Sequence, residues 1–221
     1  MEKTLYLDKK SRCIGLERLA YPKRCRRSAG GRGPMTGQIG AVVDLRCMAT
    51  TTLVPVEAYL RTSYDPDMEY VDGTLLERHV GERKHSRLQL LLGAELALRE
   101  QGKFHTYTEQ RVRVLPQPRY RVPDLCVMAL PYQRESVFSH PPHLIIEILS
   151  PDDEPAEMLE KIADYLKFGV PHIWIPDPYR HRLQVAGRDG LHDQPDLIVE
   201  SGLAGRLDFA ELFAKLDDPS E

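Results

Sequence analysis

Two acidic residues sit where acids are costly. Leu144-Ile145-Ile146-Glu147-Ile148-Leu149 is a short apolar run, the pattern of a strand covered on both faces, and Glu147 interrupts it. An unpaired buried carboxylate costs several kcal/mol, so Glu147 must be neutral, paired or bound to a cation. Val122-Pro123-Asp124-Leu125-Cys126-Val127-Met128 is a second apolar run. Asp124 enters it just after a proline that can only start or edge a strand. Two acids intruding on neighbouring core strands point to a shared metal, and hard carboxylate oxygens at the mouth of a sheet suit Mg²⁺ or Mn²⁺. Such an ion activates water and stabilises the negative charge of a phosphoryl transition state. The plain alternative is that both acids accept hydrogen bonds, or pair with Arg111, Arg113, Arg119 or Arg121.

Three further residues belong to the same chemistry. Lys161 lies at the margin of a helical face made by Met158, Leu159, Ile162, Tyr165 and Leu166. From there its stem can cross apolar surface and bring an ammonium to the sheet edge, to stabilise charge or orient water. Spacing alone favours a surface i, i+4 pair with Glu157. His85, opening another helix, could be a base or a phosphate contact; a partly exposed structural histidine is the plain alternative. Glu69, ahead of an Asp-Gly turn, could be a further ligand or an exposed cross-strand charge. His140-Pro-Pro-His143 completes no tetrahedral set. Nucleophile-elbow, zincin, C-x-x-C and dinucleotide motifs do not occur. Cys126 reads as a packed core thiol. Metal-assisted chemistry is the enzymatic option that remains.

The elements that must hold these residues follow from periodicity. Pro55 to Ser63 reads as a short helix. Met68 to Glu77, with Asp72-Gly73 between two strand-like runs, reads as a hairpin. Arg83 to Gln101 is a longer helix stopped by Gly102, with Leu88, Leu91, Leu92, Leu96 and Leu98 apolar. Strands are expected at His105–Leu115, Val122–Leu130 and His143–Leu149, then a helix at Glu154–Phe168 ended by Gly169. Ile173-Trp174-Ile175 is a strand stopped by Pro176-Asp177-Pro178. Two short strands at Leu183–Ala186 and Leu197–Val199 and a last helix at Phe209–Leu216 complete a mixed sheet with helices packed on it.

The 221 residues suffice for one domain and a tail, and 42% hydrophobic with 29% charged residues is ordinary globular composition. No apolar run is long enough to span a membrane and no signal peptide is legible, so a cytosolic protein is expected. The net charge of −3 hides a split. Residues 1–47 carry eleven Lys and Arg against four acids, a net of +7; the other 174 residues carry 19 against 29, a net of −10. The first 47 residues are expected to be an unstructured basic leader, with Met48 the more natural start. The folded domain is expected over residues 48–221. A nucleic-acid-binding arm is the alternative for the leader.

Taken in order, these residues are familiar. Glu69-Tyr70-Val71-Asp72-Gly73, His85 on a helix, Pro123-Asp124, Glu147-Ile148-Leu149-Ser150-Pro151, Lys161 with Tyr165, Gly169-Val170-Pro171 and Trp174-Ile175-Pro176-Asp177-Pro178 follow one another over Met48 to Leu216. The set resembles the Uma-two family of restriction-endonuclease-like proteins, within the PD-(D/E)XK nuclease superfamily. The resemblance implies a restriction-endonuclease-like α/β fold, a mixed β-sheet flanked by helices, and divalent-metal hydrolysis of phosphodiesters. It matches Asp124 to the Asp of the PD motif and Glu147 to the acid of (D/E)XK. The motif lysine would fall at position 149, which is Leu149; Lys161 matches the place from which similar proteins supply it. Glu69 and His85 match positions near that site.

The expected activity is therefore a Mg²⁺- or Mn²⁺-dependent endonuclease acting on nucleic acid, DNA in the first instance, with Asp124, Glu147, Lys161, His85 and Glu69 in the site. A two-fold dimer suits duplex cleavage. The −10 domain repels phosphate at long range, so binding needs a local basic strip, for which Arg111, Arg113, Arg119 and Arg121, or Arg78, Arg83, Lys84 and Arg87, are candidates. The rival expectation is a catalytically silent module that keeps the fold and binds protein or nucleic acid.

Overall fold

The computed structural model describes residues 53–217 apart from 79–80, 116–117 and 188. The expectations for the basic segment 1–47 and for a start at Met48 lie outside the described residues. Helix α1 (Val56–Arg61) starts after Pro55 and buries Tyr59. Strands β1 (Met68–Val71) and β2 (Thr74–Glu77) form the expected hairpin. Its turn residues Asp72 and Gly73 take φ of 50° and 92°, the left-handed conformation that this two-residue turn demands.

Helix α2 (Arg83–Arg99) follows, then β3 (Phe104–Thr108), β4 (Val112–Leu115), β5 (Arg119–Arg121), β6 (Leu125–Ala129) and β7 (Leu144–Ile146). Next come α3 (Pro155–Phe168), β8 (His172–Asp177), β9 (Arg182–Gly187), β10 (Gly190–Asp193), β11 (Ile198–Ser201), β12 (Gly205–Asp208) and α4 (Phe209–Leu216). A six-stranded sheet runs β10-β9-β8-β7-β6-β3, and a four-stranded sheet runs β2-β1-β5-β4. In the larger sheet β7 and β8 are parallel and the other neighbours antiparallel, so the mixed sheet flanked by helices is as expected.

One expected strand is two strands, and β5 lies outside the expected set. His105–Leu115 breaks at Glu109, whose φ of 52° turns the chain from β3 in the larger sheet to β4 in the smaller. The strand expected at Val122–Leu130 is β6, beginning only at Leu125 in the larger sheet; β5, outside those bounds, ends at Arg121 in the smaller, so a second crossing falls between them. Pro176 does not stop β8, which continues through Asp177 because Pro176 pairs with Leu183 of β9.

Burial on both faces explains the apolar runs. Leu125 and Val127 of β6 pack with Leu88, Leu92 and Leu96 of α2 and with α4. Cys126 and Met128, pointing the other way, pack with Ile162 and Tyr165 of α3. Helices thus cover opposite faces of the larger sheet, as an alternating side-chain direction requires. Leu98 and Leu159, expected on the apolar faces of α2 and α3, are instead 79% and 54% exposed. Gly169, with φ of 99°, ends α3. Among the described residues no helix is long and apolar enough to cross a membrane.

Candidate active site

The crossing from β5 to β6 sets the position of Asp124. Pro123 donates no hydrogen bond, so the chain leaves one ladder before Asp124 and enters the next at Leu125. Glu147 follows the last residue of β7, beside β6, and its N–H donates to Trp174 O of β8 (3.0 Å). The two acids therefore meet at one end of the larger sheet. Glu69 comes from β1 of the smaller sheet, His85 from the first turn of α2 and Lys161 from α3. All five residues singled out in the sequence line one narrow pocket of about 70 Å³. By volume that admits an ion and a few waters, not a nucleoside.

Lys161 joins the two sheets. Its Nζ lies 3.1 Å from Glu69 Oε1 and 3.3 Å from Glu147 Oε2. It does not sit out with Glu157 as a surface pair; its side chain is 17% exposed. The other Glu147 oxygen accepts the Tyr165 hydroxyl at 2.5 Å. Asp124 is also occupied on both oxygens. Arg78 donates to Oδ1 (2.9 Å), while the Ile148 N–H donates to Oδ2 (2.7 Å) and His85 Nε2 lies 3.3 Å from the same atom. Gly81 lets the His85 ring lie close: a Cβ there would be 2.7 Å from Nδ1.

Protonation follows from these contacts. Burial lifts the Glu147 carboxyl to about 7; Lys161 pulls it down, and the negative charges of Asp124 and Glu69 push it up. Burial also works against the charged form of Asp124, but the His85 hydrogen bond and the charges of His85, Arg78 and Lys161 outweigh it and hold Asp124 below the usual range. For Glu69 burial is likewise outweighed by Lys161 and Arg121, and its carboxyl is lowered. Burial opposes the charged imidazole of His85, yet Asp124 raises its pKa overall.

Glu69 has a second role. Its Oε2 accepts from Arg121 (2.9 Å) and its Oε1 from the Val122 N–H (3.0 Å). Arg121 also donates to Asp164 Oδ2 from NH2 (2.7 Å), and Arg119 reaches Asp164, Glu160 and Asp72. Neither arginine pairs with Asp124 or Glu147. The Arg121 side chain is 2% exposed, so it offers nothing to an external phosphate, and Arg111 lies over the Tyr59 ring. The basic strip expected along this segment is thus turned inward at Arg121 and largely paired at Arg119.

Among the described residues, no three His, Cys, Asp or Glu side chains gather closely enough to hold a metal alone. What can hold one is the pair Asp124 and Glu147. Their donor set is hard oxygen, and the Glu147 carboxyl, raised chiefly by burial, is one that a bound cation would bring back to its charged form. Arg78 and Tyr165 were missed as site residues; the first stands in the sequence only as one of several surface cations. Its sole local signal is a place one residue beyond the hairpin that carries Glu69.

Mixed sheet, flanking helices and a carboxylate pair at the strand ends define a restriction-endonuclease-like fold. A family model described as "Putative restriction endonuclease" matches residues 56–206, more than half of the chain, and the chain belongs to that family, Uma2. Among solved structures it is similar to "a putative nuclease belonging to DUF820" from Anabaena variabilis, with 23% identity and a TM-score of 0.65, over 74% of this chain and 99% of that one. That likeness shows the fold. No curated protein matches.

Proposed function

We propose that this protein is a divalent-metal-dependent endonuclease that hydrolyses phosphodiester bonds of nucleic acid, DNA in the first instance. The observation that carries the reading is the meeting of Asp124, Glu147 and Lys161 in one pocket, drawn from three separate stretches of sequence. Asp124 and Glu147 would hold Mg²⁺ or Mn²⁺, which supplies charge stabilisation at the phosphoryl group and a more acidic water. Lys161, fixed between Glu69 and Glu147, holds an ammonium beside the attack site, where it orients a water or neutralises developing charge. Tyr165 caps one Glu147 oxygen and leaves the other turned to Lys161 and the pocket. His85 steadies Asp124 through Oδ2. Glu69 acts as the anchor of Lys161 rather than as a ligand. Lys161 thus supports the lysine role in place of Leu149.

The test is cleavage of plasmid and of single-stranded and duplex oligonucleotides by the whole chain with Mg²⁺ or Mn²⁺, against Glu147→Ala and Lys161→Ala. Activity of the wild type that both variants lose is the expected result; equal activity in all three would mean a contaminant. A second reading is a silent binding module, favoured by the occupation of both Asp124 oxygens by protein donors. Metal binding with no cleavage of any nucleic acid would select it. The dimer is part of the first reading, and a monomer in light scattering with duplex present would remove it.

A further inference from the structure

Arg78 stands one residue beyond β2, and its guanidinium reaches into the pocket. Its NH2 donates to Asp124 Oδ1 at 2.9 Å, and its NH1 lies 3.8 Å from Glu109 Oε1. The two oxygens of Asp124 are not equivalent. Oδ2 takes a backbone donor, the Ile148 N–H, which cannot withdraw without tearing the sheet end. Oδ1 takes a side chain on a flexible stem, which can. Oδ1 has one donor, Arg78, against two partners on Oδ2, so Oδ1 is the oxygen open to a cation, and a divalent ion bound there would repel the guanidinium 2.9 Å away. The released guanidinium has a partly exposed carboxylate beside it, since the Glu109 side chain is 57% exposed.

The other cations of the pocket cannot do the same. Lys161 is fixed between two carboxylates, and Arg121 is buried between Glu69 and Asp164. His85 leans on the Asp124 oxygen that stays paired. The pocket also carries acids at its rim, among them Asp153, Glu154 and Glu157, so a phosphate arriving there needs a cation of its own. A guanidinium offers a fork of donors that matches two phosphate oxygens, which an ammonium does not.

Resting on the metal-dependent reading above, we propose that Arg78 is an exchangeable counter-ion. It neutralises Asp124 while the pocket lacks a divalent ion, yields Oδ1 when one binds, and then contacts a non-bridging phosphate oxygen of the nucleic-acid substrate. The protein donors on Asp124 are thus compatible with a cation at Oδ1.

The experiment uses the full chain as wild type, Arg78→Gln and Arg78→Lys, each checked for folding by circular dichroism. Mn²⁺ affinity is measured by calorimetry. Affinity for a short duplex is measured by anisotropy in Ca²⁺ over a salt series. Arg78→Gln should bind Mn²⁺ several-fold tighter, having lost the competitor. It should bind the duplex about tenfold more weakly, with the salt slope reduced by about one. Arg78→Lys, charged but without the fork, should keep Mn²⁺ affinity near wild type and bind duplex at an intermediate level. Mn²⁺ affinity unchanged or weakened in Arg78→Gln would overturn the proposal, leaving Arg78 as a support for Asp124. Unchanged duplex affinity would overturn its phosphate half. If neither wild type nor Arg78→Gln binds Mn²⁺, the metal-dependent reading itself falls, and this inference with it.

Discussion

Two charged clusters share Glu69, and they are built on opposite terms. On one side Arg121 lies between Glu69 and Asp164, with Arg119 binding Asp164, Glu160 and Asp72. There each buried carboxylate has a guanidinium of its own. On the other side Asp124 and Glu147 face a pocket, with Arg78 and His85 on the first and Lys161 beside the second, and burial holds the Glu147 carboxyl up at about 7. The first cluster is satisfied by the chain. In the second, Glu147 has an ammonium and a hydroxyl as donors and a carboxyl still held up by burial, so its protonation answers to what enters the pocket.

The comparison can be broken most severely at Arg121. Arg121→Met takes from Glu69 and Asp164 the guanidinium they share, leaving them Lys161 and Arg119, and should cost about 3 kcal/mol in a urea titration. Leucine-scale stability after this change would mean the satisfied cluster matters less than its burial suggests.

Glu147→Gln should act in the other direction. Its folded pKa is raised above the ordinary 4.5 to about 7. The stability it contributes is therefore present below 4.5 and lost as pH rises through 7. Without divalent ions, Glu147→Gln should remove that fall and be more stable than wild type at pH 8 by about 2 kcal/mol, discounted for the partner that Lys161 loses. Added Mg²⁺ should stabilise the wild type and not the variant. A wild type whose melting temperature rises steadily from pH 5 to pH 8 would reverse this.

A smaller effect is expected at Gly81. A methyl there meets the His85 ring, so Gly81→Ala should move the imidazole off Asp124 at a cost of roughly 1 kcal/mol. The His85 pKa, raised by Asp124 in the wild type, should fall when followed by NMR. Smallest is Asp72→Asn at the exposed end of the Arg119 pairs, where the Asp72 side chain is 48% exposed. Arg119 lowers the Asp72 pKa from 3.8, so its contribution is present above that value and lost as pH falls. Screening should keep the change below about 1 kcal/mol, measured at low and high salt.

Local rules made parts of this architecture legible. The Asp72-Gly73 turn and the Phe209–Leu216 helix can be read directly, because turn chemistry and a 3.6-residue period are properties of neighbouring residues. The strand breaks could not. No Gly or Pro falls between His105 and Leu115 to mark the break at Glu109, so a corner between sheets looks like one strand. Strands β10 and β12, Gly-Leu-His-Asp and Gly-Arg-Leu-Asp, are too short and polar to signal themselves. The five candidate residues converge because acids inside apolar runs are visible without coordinates. The cations that answer them are not, since Arg78 and Arg121 are chosen by tertiary approach and not by spacing.

The stretch from Val122 to Asp124 belongs to neither ladder, yet it ties them together. Glu69 and Arg78 ride on the smaller sheet, Asp124 and Glu147 on the end of the larger. A slide of one sheet over the other by about 1 Å would leave every strand pairing whole and still misalign the charges, a displacement large enough to matter at a reacting centre. Substitutions at this joint can therefore tune the site while melting curves stay level. A screen that ranks variants by stability alone would pass over them.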